Sequence, residues 1–325
     1  MRLWRHMRGL WPRHTLLPPL IFVVAAVVAY VRGVLRWDHI AIVVLVAALA
    51  YTNRTTKRLC IGLYPIGLVA VLYDAMKSIQ NVGVTPERVH LCGLRATEIR
   101  WFGITMDGSR TTVHDWLQAH ATLPLDVLCS IPYGTFIFAS LAAAVYLYFR
   151  DFAAMQRFMW TFFLMNVMGF LTYHLYPAAP PWYYHAHGCT VDMLARPSEG
   201  PNLARVDQFL GVHYFAAMYG RSSDVFGAIP SLHVAYPLLI ALETWRHVSR
   251  PLRVTTVAYS VLMAFAAIYL DHHWIIDALV GVAYCLIAVL VVRSVQRWHA
   301  TNLAKESRLS GTHGAEWGES ASESK

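Results

Sequence analysis

Two short stretches carry residue types capable of chemistry: Gly227-Ala228-Ile229-Pro230-Ser231-Leu232-His233 and, with its second histidine forty positions after His233, Asp271-His272-His273-Trp274-Ile275-Ile276-Asp277. Together they hold three imidazoles, two carboxylates and a hydroxyl in a chain that is otherwise apolar. An ionisable group at membrane depth costs several kcal/mol unless it is paired or functional, so these stretches read as a site. On a helix, His273 and Asp277 at i and i+4 share a face and are within reach of one another. A carboxylate on one ring nitrogen fixes the tautomer and frees the other nitrogen to attack or to accept a proton. The pair reads as an oriented nucleophile, with His233 as general acid.

The elements around them must bring the two stretches together. Each immediately precedes an apolar run, 234–245 and 274–292, and a third run, 255–270, lies between. If all three cross a membrane, His233 and His273 emerge on the same face, both at helix N-termini. Unpaired backbone N–H groups and the positive end of the helix dipole favour an anion such as phosphate there.

The chain has 325 residues, 57% hydrophobic and 14% charged, with a mean hydropathy of +0.42. Soluble domains carry about a quarter charged residues, so this is an integral membrane protein. The net charge of +8 comes from short basic clusters between apolar runs, the pattern of cytoplasmic loops and not of a nucleic-acid stripe. Arginine far outnumbers lysine, which hints at a GC-rich bacterial genome.

Further apolar runs at 16–31, 40–51, 59–73, 131–149 and 158–176 bring the expected total to eight helices in an all-α, polytopic bundle. The expected organisation is N-terminal membrane helices over 1–76, an interfacial amphipathic segment over 77–130, a catalytic core over 131–298 and a disordered cytoplasmic tail over 299–325. With both termini in the cytoplasm, Arg54/Lys57/Arg58, Arg150/Arg157, Arg246/Arg250/Arg253 and Arg293/Arg297 all lie inside, as the positive-inside rule requires. The long segments 74–130 and 177–226 and both histidine stretches then face outward. Cys92 and Cys189 lie in these two outward segments, and an oxidising compartment would allow them to pair.

Pro230-Ser231-Leu232-His233 followed by His273-x-x-x-Asp277 and Gly281 resembles the second and third motifs of the type 2 phosphatidic acid phosphatase superfamily. Upstream, Tyr176-Pro177-Ala178-Ala179-Pro180-Pro181-Trp182-Tyr183, Asn202-Leu203-Ala204-Arg205-Val206-Asp207 and Ser222-Ser223-Asp224-Val225-Phe226 narrow the resemblance to its inositol phosphorylceramide synthase branch. The likeness covers about residues 170–285. It implies a metal-independent, cofactor-free membrane lipid phosphotransferase working through a phosphohistidine: His273 the nucleophile, Asp277 its orienting partner, His233 the acid. The implied substrates are phosphatidylinositol and a ceramide-like alcohol, with a site facing the periplasm in a bacterium or the Golgi lumen in a eukaryote.

The phosphatases of that superfamily carry a glycine inside the second motif and an arginine six residues before the nucleophile, where this chain has Leu232 and Ala267. Arg205 and Arg221 are the candidate replacements, because a planar fork suits a phosphodiester; contact with a lipid head group is the competing role. Ser231 is either a phosphate contact or a helix cap. His272 is left open between a cap and a site residue, while His174, His185, His187 and His213 read as packed or interfacial residues. A lipid phosphatase on the same histidines is the alternative activity. A metal-dependent oxidase would need several His-x-x-His-His boxes, and the chain has a single adjacent histidine pair.

Overall fold

A computed structural model of the chain describes residues 2–12, 14–79, 82–220, 222 and 225–319. It is built from α1 (Arg2–Leu10), α2 (Leu17–Val31), α3 (Trp37–Tyr51), α4 (Arg54–Ile79), α5 (Cys92–Phe102), α6 (Val113–Ala119), α7 (Leu123–Arg150), α8 (Phe152–Leu175), α9 (Pro181–His187), α10 (Gly200–Leu210), α11 (Tyr214–Tyr219), α12 (Leu232–Thr244), α13 (Arg250–Tyr269) and α14 (Ile275–Glu319). Among the described residues five helices are long and apolar enough to cross a bilayer: α4, α7, α8, α13 and the first part of α14. Three shorter apolar helices, α2, α3 and α12, accompany them.

Lipid tails are as apolar as leucine, so membrane helices associate through close packing rather than a hydrophobic drive. The bundle shows this at α8, which buries Met155, Met159, Phe162 and Met165 against Leu239 of α12 and Cys285 and Ala288 of α14. Local signals set the helix starts. The Asp151 carboxylate accepts from the N–H groups of Ala153 and Ala154 at 2.9 and 3.1 Å and opens α8. Gly281 lets α12 and α14 approach, since a Cβ there would lie 2.3 Å from the Ser231 carbonyl oxygen.

Segments 77–130 and 177–226 contain more than helices. A two-stranded antiparallel hairpin, β1 (Ile104–Met106) and β2 (Ser109–Thr111), interrupts the helical pattern. Its turn residues Asp107 and Gly108 both have positive φ, the Asp-Gly chemistry of a tight hairpin. Helices α5 and α6 bury Glu98 and His114 while leaving Trp101 and Trp116 exposed. His90 and Phe226 hydrogen-bond to the 177–179 backbone from either side, so three stretches of these two segments are laced together. Cys92 and Cys189 form a disulfide with Cα atoms 5.6 Å apart, tying the start of α5 to the chain just after α9.

Helix α14 runs through Glu319, and residues 320–325 lie outside the described part.

Candidate active site

The two histidine stretches meet where α12 and α14 begin. Ser231 caps α12, its hydroxyl accepting from the Val234 N–H at 3.4 Å, and its own N–H donates to the Asp277 carbonyl at 2.9 Å. Between α13 and α14 the chain makes a sharp turn at Asp271, whose φ of 68° lies in the left-handed region. Such a conformation costs about 1–3 kcal/mol outside glycine and persists only where the surroundings enforce it. The turn presents His272, His273 and Trp274 in succession. Trp274 anchors it by donating from Nε1 to the Ala179 carbonyl at 2.9 Å.

His273 Nδ1 lies 3.0 Å from the Ala228 carbonyl oxygen, and His273 Nε2 lies 3.0 Å from His233 Nδ1. A carbonyl only accepts, so His273 carries its proton on Nδ1 and its Nε2 is a lone pair. His233 is therefore the donor in the second bond. Burial pulls the His273 imidazole down to about 4, more than the Ala228 carbonyl lifts it, so the ring is neutral at physiological pH. A neutral imidazole with one nitrogen protonated and the other carrying a lone pair is the form a nucleophile requires. The ring of Tyr133 stacks on His233 at 4.7 Å and Phe136 meets it edge-on at 4.8 Å, which fixes the donor's direction.

Asp277 does not make the expected hydrogen bond with His273. Its Oδ2 stands 3.7 Å from Nδ1, because that oxygen accepts from the Trp274 N–H at 2.8 Å and caps the start of α14. The Ala228 carbonyl takes over the orienting contact, and the buried Asp277 carboxyl lies beside the ring without a hydrogen bond to it.

Arg205 is engaged elsewhere than expected of a phosphate ligand. Its Nε donates to Asp126 Oδ2 at 2.8 Å, and the fully buried Asp126 carboxylate also takes Asn202 Nδ2 at 3.1 Å and the Tyr269 hydroxyl at 2.9 Å. Asp207 accepts from the N–H groups of Phe215 and Ala216 and starts α11. The 202–207 stretch thus fastens α10 to α7 and α11. Arg221 lies outside the described residues. His272 donates from Nε2 to the Glu199 carbonyl at 2.8 Å and is sandwiched between Tyr219 and Tyr133, at 4.6 and 5.3 Å.

Sequence reasoning missed a set of charged residues behind the turn. His185, read as packed or interfacial, places Nδ1 2.5 Å from Asp271 Oδ2 and Nε2 3.0 Å from Asp115 Oδ1. Burial pulls its imidazole down, but the hydrogen bonds to Asp115 and Asp271 outweigh this and carry it up to about 9. Asp271 is pushed up by burial and held below the usual carboxylate range by His114 and His185. His114 and Glu98, both fully buried, were not singled out at all. Their signal was present as isolated ionisable residues in an apolar context, but no fixed spacing links them to residues 271–277.

Residues 100–291 match the family model of the PAP2 superfamily, and the chain belongs to that superfamily. It is 32% identical over 260 residues to a phosphoinositol dihydroceramide synthase of Bacteroides thetaiotaomicron, covering 79% of this chain and 84% of that one. It is 33% identical over 159 residues to an inositol phosphorylceramide synthase of Candida albicans and 31% identical over 162 residues to the catalytic subunit of that synthase in Saccharomyces cerevisiae. Each of these two matches covers 48% of this chain, but only 34% and 39% of the respective fungal proteins. No solved structure matches the chain.

Proposed function

We propose that this protein transfers phosphoinositol from phosphatidylinositol to the primary hydroxyl of ceramide or a similar lipid alcohol, releasing diacylglycerol. The observation that carries this reading is the His233–His273 pair, found in a chain similar along most of its length to a phosphoinositol dihydroceramide synthase. His273 Nε2 attacks phosphorus, and the bond from phosphorus to the diacylglycerol oxygen breaks. His233 protonates that oxygen as it leaves. The negative charge of the phosphodiester stabilises an imidazolium at His233 before this step. Neutral His233 then takes the proton of the ceramide hydroxyl, whose oxygen attacks phosphorus and releases His273. Donor and acceptor use one site in turn, and the proton returns to His233.

Eight spans with both termini cytoplasmic, the arrangement favoured by the basic clusters between the apolar runs, give the site a periplasmic or lumenal exposure in this reading. The Cys92–Cys189 bridge supports an oxidising side for the outward segments. Single cysteines introduced near Arg54 and Asn202 should react with an impermeant reagent from opposite sides; reaction from one side defeats this topology. Covering of the site by segments 77–130 and 177–226 limits water, the competing acceptor.

The deciding experiment incubates purified enzyme with labelled phosphatidylinositol, with and without ceramide. Diacylglycerol should accumulate only alongside an inositol-containing sphingolipid. Release of inositol phosphate at the same rate without the acceptor would replace the transferase with a hydrolase.

A further inference from the structure

His273 is flanked two residues back by Asp271 and two residues on by Ile275, and both flanks are held by charged side chains from outside the membrane helices. On the first flank His185 of α9 spans Asp271 and Asp115, at 2.5 and 3.0 Å. Carboxylates only accept, so both nitrogens of His185 carry protons and the ring is a cation. Asp115 of α6 is fixed in turn by Arg95 Nη2 at 2.9 Å, by the Thr112 N–H at 2.9 Å and by the Thr111 and Thr112 hydroxyls. The order Arg95, Asp115, His185, Asp271 alternates in sign from the surface inward.

On the second flank Glu98 of α5 accepts from the N–H groups of Ile275 and Ile276 at 2.8 and 3.4 Å. It supplies the first turn of α14 with a cap from another element. His114 joins the flanks, with Nδ1 3.3 Å from Asp271 Oδ1 and Nε2 3.9 Å from Glu98 Oε1, and its ring packs edge-on against Trp274 at 5.2 Å. Glu98, His114 and Asp271 are all fully buried.

We propose that His185 and His114, acting through Asp271 and Glu98, are positioning residues that hold the 271–275 turn so that His273 Nε2 faces His233. The set serves no proton export: in the two-step transfer proposed above, on which this inference rests, His233 recovers from the acceptor the proton it gives to the leaving alcohol. What the turn does require is restraint. Asp271 stands in a left-handed conformation, and a shift of the turn by about 1 Å is enough to cost on the order of 10²-fold in rate.

His185→Gln, with Asp115→Asn as a second variant that preserves shape, tests this. Gln keeps one hydrogen bond but neither the charge nor both contacts. Expected for His185→Gln is a fall in kcat of about 10- to 100-fold at unchanged KM, with the melting temperature of the purified protein near the wild-type value. The wild-type rate should also decline as pH rises through about 9, where His185 between Asp115 and Asp271 loses its proton, and the variant should lack that decline. Wild-type kcat in the folded variant, or a rise in KM alone, overturns the proposal. If His185→Gln does not fold, the same readings on Asp115→Asn decide it. Absence of transfer product from the wild-type enzyme would instead strike at the transferase reading and not at the turn.

Discussion

His233 Nδ1 donates to His273 Nε2 across 3.0 Å, so this hydrogen bond covers the His273 lone pair. The direction of this bond follows from the opposite edge of the His273 ring, where the Ala228 carbonyl claims the Nδ1 proton. In the mechanism proposed above, a phosphoryl group reaches His273 by displacing His233, and the displaced N–H then faces the leaving oxygen, so one movement would uncover the nucleophile and place the acid.

It follows that losing His233 should matter in proportion to how badly the leaving group needs a proton. His233→Gln is expected to slow transfer from a diacylglycerol ester by about 10²–10⁴-fold and to slow transfer from an aryl ester with an acidic leaving group far less. Comparing the two rates in wild type and variant checks this. An equal loss with both donors would remove His233 from the acid role.

Asp277 Oδ2 stands 3.7 Å from His273 Nδ1 and makes no hydrogen bond to it. Asp277→Asn keeps an oxygen to cap the Trp274 N–H, so the fold should survive. A carboxylate at Asp277 would attract a positively charged ring, and at an effective dielectric constant near 20 losing that attraction would be worth about 2–3 kcal/mol after the amide dipole is allowed for, on the order of 10²-fold in kcat. Pre-steady-state rates of the first half-reaction measure it; a rate within twofold of wild type would leave Ala228 as the sole orienting group.

Arg205 provides a contrast between a structural and a substrate role. With Asp126 fully buried, Arg205→Ala leaves that carboxylate with Asn202 and Tyr269 alone. The expected result is a loss of about 1–3 kcal/mol of stability, read by thermal or denaturant unfolding in detergent, with KM for phosphatidylinositol little changed. A large rise in KM in a stable protein would return Arg205 to the phosphate.

How far the sequence foretold this site follows from how each contact is made. His233, His273 and Asp277 were legible because helix periodicity and a short spacing place them, and a motif records that spacing. The Ala228 carbonyl was not, since a backbone acceptor leaves no trace in residue type. Glu98, His114 and His185 reach the turn from separate outward segments through tertiary packing that no local pattern encodes. The contact of Arg205 with Asp126 was hidden for the same reason: the two are 79 residues apart. The helices themselves were readable from hydropathy, and the Asp107-Gly108 hairpin carried a turn signal within a region otherwise read as helical.

The charges behind the turn make stability depend on pH on both sides. His185 is pulled down by burial and lifted more strongly by Asp115 and Asp271, from 6.5 to about 9, so its contribution is complete below 6.5 and is lost as pH rises through about 9. Asp271 is raised by burial and lowered more strongly by His114 and His185, so its contribution is present above 3.8 and is lost as pH falls below that value. The melting temperature should therefore be highest between these limits and decline toward pH 9. In His185→Gln the alkaline decline should shrink; an unchanged decline would assign it to other groups.

The most direct test of the central claim is to mix enzyme with phosphatidylinositol labelled in its phosphate, without acceptor, and quench within the first turnover. The account predicts a burst of diacylglycerol approaching one per enzyme, with the label held as an acid-labile phosphoramidate on the peptide containing His273, absent in His273→Ala and discharged when ceramide is added. Diacylglycerol formed only when both lipids are present, with no label on the protein, would mean direct transfer between the lipids and would contradict it.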